Sequence, residues 1–208
     1  LEAYRTPVAL PADETLPILS FDISGTLDFL SKSLNGERFA IGSSLFSGKM
    51  DQQLFNEKIT LELNRNPLYG PSAFFDMEGV VLQEDRYLLI EAGKLVGVYT
   101  DKKTADKYNL PHTGAAAGEY DSMPGLTATR FAPIPLRFKT DSGDLKAALK
   151  GQPAILVVAS SGGDFTPDGS FAAPVQVSFL FDGERILGKL PEFTMRSHLY
   201  KMLGEDYI

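Results

Sequence analysis

Two β-rich runs, Tyr87 to Glu91 and Lys94 to Thr100, are separated only by Ala92-Gly93. A link of two residues forces the chain to reverse, and glycine supplies the left-handed backbone that such a reversal needs. The spacing therefore predicts an antiparallel hairpin, fed by a loop from Ala73 to Val81 that reads Ala-Phe-Phe-Asp-Met-Glu-Gly-Val-Val. Asp101 follows as an N-cap for a short helix, Lys102 to Tyr108, its carboxylate accepting a backbone N–H that the first turn leaves free.

On either side of this hairpin the patterns are shorter. Pro7, Pro11 and Pro17 punctuate the opening segment, with Pro7-Val8-Ala9-Leu10 reading as a strand already under way. Because Leu1 is not an initiator methionine, a part upstream of it is expected. Ile23, Leu27, Leu30 and Leu34 recur at helical spacing, predicting a helix from Asp22 or Ser24 that Asn35-Gly36 stops. Residues 39–49 read as a loop. Lys58 to Asn64 alternates, with Ile59, Leu61 and Leu63 on one face and Thr60 and Glu62 on the other, the pattern of a half-buried strand. Asn64-Arg65-Asn66-Pro67 closes it with a turn.

The second half is more plainly β. Ile134 to Lys139 is a Pro-interrupted strand, hence an edge. Asp141 or Ser142 is expected to cap a helix from Asp144 to Lys150 that Gly151 ends. Ile155 to Ala159 is continuously apolar, as a strand buried on both faces would be. Val175, Val177, Phe179 and Phe181 alternate up to Asp182-Gly183, a strong hairpin signal. Glu192 to Leu203, with Phe193, Leu199, Met202 and Leu203, is read as a terminal helix. These elements predict an α+β fold: a curved, mostly antiparallel β-sheet or partly closed barrel with three to four short helices.

Composition narrows the chemistry. A net charge of −7 and an isoelectric point near 4.9, without any basic stripe, argue against nucleic acid as a partner. The absence of cysteine removes disulfides, thiolate metal sites and a Cys nucleophile together. No run approaches the roughly 20 apolar residues that span a bilayer, and no signal-peptide pattern opens the chain, so no membrane role and a cytoplasmic location are expected.

Few residues carry a chemical suggestion. His112 and His198 lack the spacing of a helical metal pair. Asp164 and Asp168 do not fit a calcium loop. Ser43 and Ser44 have no nearby histidine and no G-x-S-x-G elbow. Asp76 and Glu78 are two apart, so in an extended segment both would point the same way and could share a proton or a cation. A solvated strand end accounts for them equally. The stretch from Pro111 to Gly118, with His112, Thr113, Gly114 and three alanines, permits close backbone approach by a ligand or a neighbouring chain, or else forms a flexible surface loop.

Several of these blocks together resemble the C-terminal domain of the TldD/PmbA family: Phe75-Asp76-Met77-Glu78-Gly79, Ile90-Glu91-Ala92-Gly93-Lys94-Leu95, Asp101 with Thr104-Ala105, and Thr113-Gly114, in that order. Upstream, Leu34-Asn35-Gly36 and residues 43–49 continue the likeness, as Gly162 to Phe171 does downstream. The resemblance implies one such domain over residues 1–208, with residues 1–36 as a lead-in segment and helix and the family's N-terminal domain absent from this chain. It also implies a peptide-maturation metalloprotease historically labelled a modulator of DNA gyrase, in which TldD carries an H-E-x-x-x-H zinc motif and its partner, TldE or PmbA, lacks it. This chain contains neither that motif nor a cysteine, so no metal ligand carries over. The expectation is a metal-free PmbA/TldE-like subunit that shapes a channel for an extended peptide, with zinc on a TldD-like catalytic partner. A homodimer is the other assembly considered. Phe75, Asp76, Glu78, His112, Thr113 and Gly114 are the expected peptide-binding residues. The alternatives are a stand-alone structural or binding domain, and a metal-independent hydrolase using Asp76 and Glu78.

Overall fold

A computed structural model of the chain describes residues 2–10, 15–20, 22–70, 72–119, 121–126, 134–139, 143–205 and 207. In chain order its elements are α1 (Glu2–Arg5), β1 (Ile18–Ser20), α2 (Ser24–Ser33), α3 (Gly36–Ala40), β2 (Leu61–Asn64), β3 (Arg86–Glu91), β4 (Lys94–Leu95), α4 (Lys102–Tyr108), β5 (Leu136–Phe138), α5 (Leu145–Leu149), β6 (Ala154–Ser160), β7 (Asp164–Phe165), β8 (Ser170–Phe181), β9 (Ile186–Lys189), β10 (Phe193–His198) and α6 (Leu199–Met202). The class is α+β, and every strand pairing is antiparallel except that of β1 with β6. Two compact units divide the chain, Leu1–Asp28 with Asp141–Ile208, and Phe29–Thr140.

The first unit is built on β8. This long strand pairs with β6, β7, β9 and β10, and β1 extends the sheet beyond β6. Ile155, Val157, Val175 and Leu190 form the buried cluster beneath it, with Phe193 and Met195 packed against them. Each such side chain withdrawn from water contributes about 1.5–3 kcal/mol. The β8–β9 hairpin turns at Asp182-Gly183 as expected: the Asp182 carboxylate accepts the N–H groups of Glu184 and Arg185, and Gly183 sits at φ +98°.

Three expectations are corrected here. Residues 193–198 form a strand, not the start of a terminal helix. Phe193 and Met195 turn inward while Thr194 and Arg196 are exposed, a period of two that satisfies its backbone against β8. Only Leu199 to Met202 is helical. Strand β6 is buried at its start but exposed from Val158 onward, so it is not covered on both faces. The cap of α5 is Asp144, whose carboxylate accepts the Lys146 N–H; Asp141 and Ser142 lie outside the described residues. In addition, a short helix, α1, precedes the opening prolines, and Pro7 makes only an isolated bridge to Lys189 rather than a strand.

In the second unit the sheet order is β4-β3-β2-β5, with β5 on an edge as its proline predicted. Leu30, Leu34, Phe46, Leu61, Leu63, Leu89, Ile90 and Leu95 are fully buried. Ala92 at φ +46° and Gly93 at φ +79° make the predicted reversal between β3 and β4. The second arm is shorter than expected. Val96 and Gly97 both donate to the Leu89 carbonyl, and this local irregularity ends the pairing after Leu95. Asp101 caps α4, accepting the Thr104 N–H at 2.8 Å. Asn35 does not only end the preceding helix: its side chain accepts the Arg38 N–H and opens α3. Glu62, expected on a solvated face, is 1% exposed and lies opposite Arg137 of β5.

Candidate functional site

Asp76 does not sit in an extended segment. Gly79, at φ +74°, closes a tight turn in which the Gly79 N–H donates to the Asp76 carbonyl. One carboxylate oxygen of Asp76 accepts the N–H groups of Glu78 and Val80, at 2.9 and 2.8 Å. The other accepts the N–H of Ala116 at 3.0 Å, and the Ala116 carbonyl accepts from Met77. At 3% exposure this carboxylate is a latch between two loops. Glu78 faces elsewhere, accepting the Lys102 N–H at 2.7 Å at the start of α4. The turn therefore separates the two carboxylates, and the shared proton or cation expected from an extended backbone has no geometric basis.

The loop after Pro111 is interior from Thr113 to Ala117, not a flexible surface loop. The Thr113 hydroxyl accepts the Thr100 N–H at 2.6 Å and donates to the Thr100 carbonyl. Gly114, at φ +64°, turns its carbonyl to Arg65, which donates through Nε at 3.0 Å and Nη2 at 2.8 Å. Nη1 of Arg65 reaches the carbonyls of Phe75 at 3.1 Å and Ala73 at 3.4 Å. Burial pushes this guanidinium below its ordinary value, and the charge of Asp76 acts in the opposite direction. Arg65 thus ties together the loops that bear the Phe75-to-Gly79 and Thr113-Gly114 blocks. The sequence showed it only as a turn residue, because nothing in periodicity or spacing marks an arginine whose partners are carbonyls distant in the chain.

Around this latch lies a cleft of about 520 Å³. Phe75, Met77, Ala116 and Ala117 supply apolar lining, and Arg65, Asp76, Tyr69, Pro135, Leu136 and Arg137 line it too. Phe75 and Met77 are 44% and 42% exposed, and Phe74 stacks edge-on to Phe75. Of the expected peptide-binding residues, Phe75 and Asp76 line this cleft. Thr113 and Gly114 are buried behind it, and His112 lies exposed in a separate groove, 3.1 Å from Asp106. Arg137 and Tyr69, which the sequence reading did not single out, stack with the guanidinium 3.6 Å from the ring centre.

Among the described residues no group of three His, Asp or Glu side chains converges. Both oxygens of Asp76 are engaged by backbone N–H groups. His198 ends β10 rather than riding a helix; its Nδ1 accepts the Tyr200 N–H, so its Nε2 donates to the Asp168 carbonyl. Among the described residues, no helix is long and apolar enough to cross a membrane.

The model of the PmbA/TldA metallopeptidase C-terminal domain matches residues 18–206, and the chain belongs to that family. An uncharacterised protein of Methanocaldococcus jannaschii is 26% identical over 89% of this chain and 41% of its own length. Among solved structures, TldE from Thermococcus kodakarensis superposes with a TM-score of 0.77 at 24% identity, covering 98% of this chain and 46% of that one. A candidate modulator of a DNA gyrase from Thermotoga maritima gives 0.72 at 20% identity, covering 95% and 45%. At these identities the structural likeness shows the fold. The chain spans less than half the length of each of these proteins.

Proposed function

We propose that this chain is the C-terminal domain of a PmbA/TldE-like subunit that holds an extended peptide for a zinc-bearing, TldD-like partner. It acts in the cytoplasm and does no chemistry of its own. The observation that carries this reading is the edge strand β5. The Asn64 N–H donates to the Pro135 carbonyl and the Lys139 N–H to the Thr60 carbonyl, so residues 135, 137 and 139 face β2. By alternation, the backbone of Phe138 faces outward, and among the described residues no strand pairs there. An extended peptide adding to that edge gains main-chain hydrogen bonds that depend little on its sequence. The cleft beside Pro135 and Leu136 gives its side chains apolar contact.

The mechanism on this chain is accordingly binding and orientation. The β5 edge fixes the peptide's direction and extension, while Arg65 and Asp76 keep the cleft wall rigid behind it. Zinc, when bound by the partner, would supply a polarised water or carbonyl. A peptide N-methylated at alternate residues tests the edge. Binding weaker by about tenfold than that of the unmethylated peptide, with protection of the Phe138 amide from exchange by the latter, is expected. Equal binding of the two peptides would remove the edge-pairing reading. Purification from the source with a stoichiometric zinc-containing chain is expected; a species without partner would favour a stand-alone binding domain. The hydrolase alternative gains nothing from the geometry, since Asp76 and Glu78 face different partners.

A further inference from the structure

Arg137 is held in an unusual way for a residue on an edge strand. On β2, directly opposite it, Glu62 is 1% exposed, and its Oε1 accepts from Asn64 at 2.7 Å and from Arg137 Nη1 at 3.4 Å. Its Oε2 is buried with no hydrogen-bond partner among the described residues. A carboxylate placed so costs desolvation energy that one amide hydrogen bond and one long ion pair, both on the same oxygen, return only in part. What it does achieve is position: Glu62 holds one corner of the guanidinium, and the Tyr69 ring covers one face at 3.6 Å. The remaining N–H groups of Arg137 have no partner among the described residues, and the side chain, 34% exposed, lines the cleft.

The charges around the cleft are unequal. Arg65 and Asp76 are buried and bonded to backbone, so among the described residues Arg137 is the cation of the cleft with N–H groups to spare, on a chain whose net charge is −7. An arginine fixed at one corner and one face is pre-organised for a planar, two-oxygen acceptor. We propose that Arg137 is a specificity residue whose N–H groups donate to a carboxylate of the bound peptide, with Glu62 and Tyr69 as the residues that position it. This rests on the peptide-holding reading above. The carboxylate belongs either to an Asp or Glu side chain seated in the cleft or to the peptide's C-terminus.

The test is fluorescence anisotropy on the full chain with three labelled peptides of the same apolar backbone: one carrying a Glu, its Gln counterpart, and the Gln peptide with an amidated C-terminus. The Glu peptide is expected to bind about tenfold more tightly than its Gln counterpart if a side chain is read. The free-acid Gln peptide would exceed its amide by a similar factor if the terminus is read. Either preference is expected to vanish in Arg137→Gln. Because Arg137→Gln strands Glu62, the double variant Glu62→Gln with Arg137→Gln is measured beside it and is expected to behave the same way. Three peptides bound equally by the parent chain would overturn the proposal and leave the peptide-holding reading standing. A preference that persists in both variants would overturn it too, and no binding of any peptide would remove both readings.

Discussion

The Asp76 carboxylate and the Ala116 N–H meet at 3.0 Å across 40 positions of sequence. That bond, with the two from Glu78 and Val80 on the other oxygen, makes the acidic residue of the Phe75-to-Gly79 block a structural acceptor. Asp76→Asn keeps one acceptor oxygen but presents an NH₂ to a backbone N–H. Two donors then face each other in a buried site, at a cost of about 2 kcal/mol. Urea unfolding of the variant is expected to show that loss at unchanged slope. A variant as stable as the parent that had lost a peptide-cleaving activity would instead restore the acid–base reading of Asp76.

Arg65→Lys retains the charge but not the fork. A single ammonium cannot reach the carbonyls of Gly114, Phe75 and Ala73 together, and at least one of them stays buried without a donor. The expected loss is about 2–3 kcal/mol. It is also expected to be local, with the amides of Val80 and Ala116 exchanging faster than those of β3. Uniform exchange across the unit would show that the two loops do not depend on this residue.

The parts of the fold that were legible in the sequence are those whose cause is local. Ala92-Gly93 makes its turn from its own backbone, and Asp101 caps from its own side chain. Residues 193–198 were misread because Leu199, Met202 and Leu203 do fit a helix, and only the partner strand β8 decides that the preceding six residues extend. Glu62 alternates correctly, but burial of the polar face depends on what covers the sheet, which the strand's own pattern does not contain. The site fared likewise. Its blocks stood out by type and spacing, whereas Arg65, Tyr69 and Arg137 matter through neighbours far away in the chain.

Two glycines at positive φ separate steric from conformational cost. At Gly79 a Cβ would meet nothing within 4 Å, so Gly79→Ala pays only for the left-handed backbone, about 1 kcal/mol. At Gly93 the Cβ would lie 2.2 Å from the Phe55 carbonyl oxygen and 2.6 Å from that of Asn56. These are backbone atoms, and the Gly93 carbonyl itself accepts from Leu54 and Phe55, so neither side yields easily. Gly93→Ala is expected to cost more than about 3 kcal/mol or to fail to accumulate folded protein. Melting temperatures of the two variants, compared with the parent, check the order; an equal shift would contradict the contact at Gly93.

Acid should loosen the turn between β7 and β8. The Thr166 and Ser170 hydroxyls both donate to Asp168, and these bonds, with a smaller contribution from His198, hold its carboxyl below the ordinary 3.8. A group whose value is depressed by folding contributes stability above its unfolded value, and that contribution is lost as the pH falls through the lower, folded value. The window therefore lies from 3.8 downward, and nothing from Asp168 changes near neutrality. Observed by NMR, the Asp168 carboxyl is expected to titrate below 3.8 in the folded chain and to move back toward it in Thr166→Val. Asp168→Asn is expected to flatten this part of the acid limb of a stability–pH curve. A midpoint at or above 3.8 in the parent chain would mean that the two hydroxyls do not hold the carboxylate in solution.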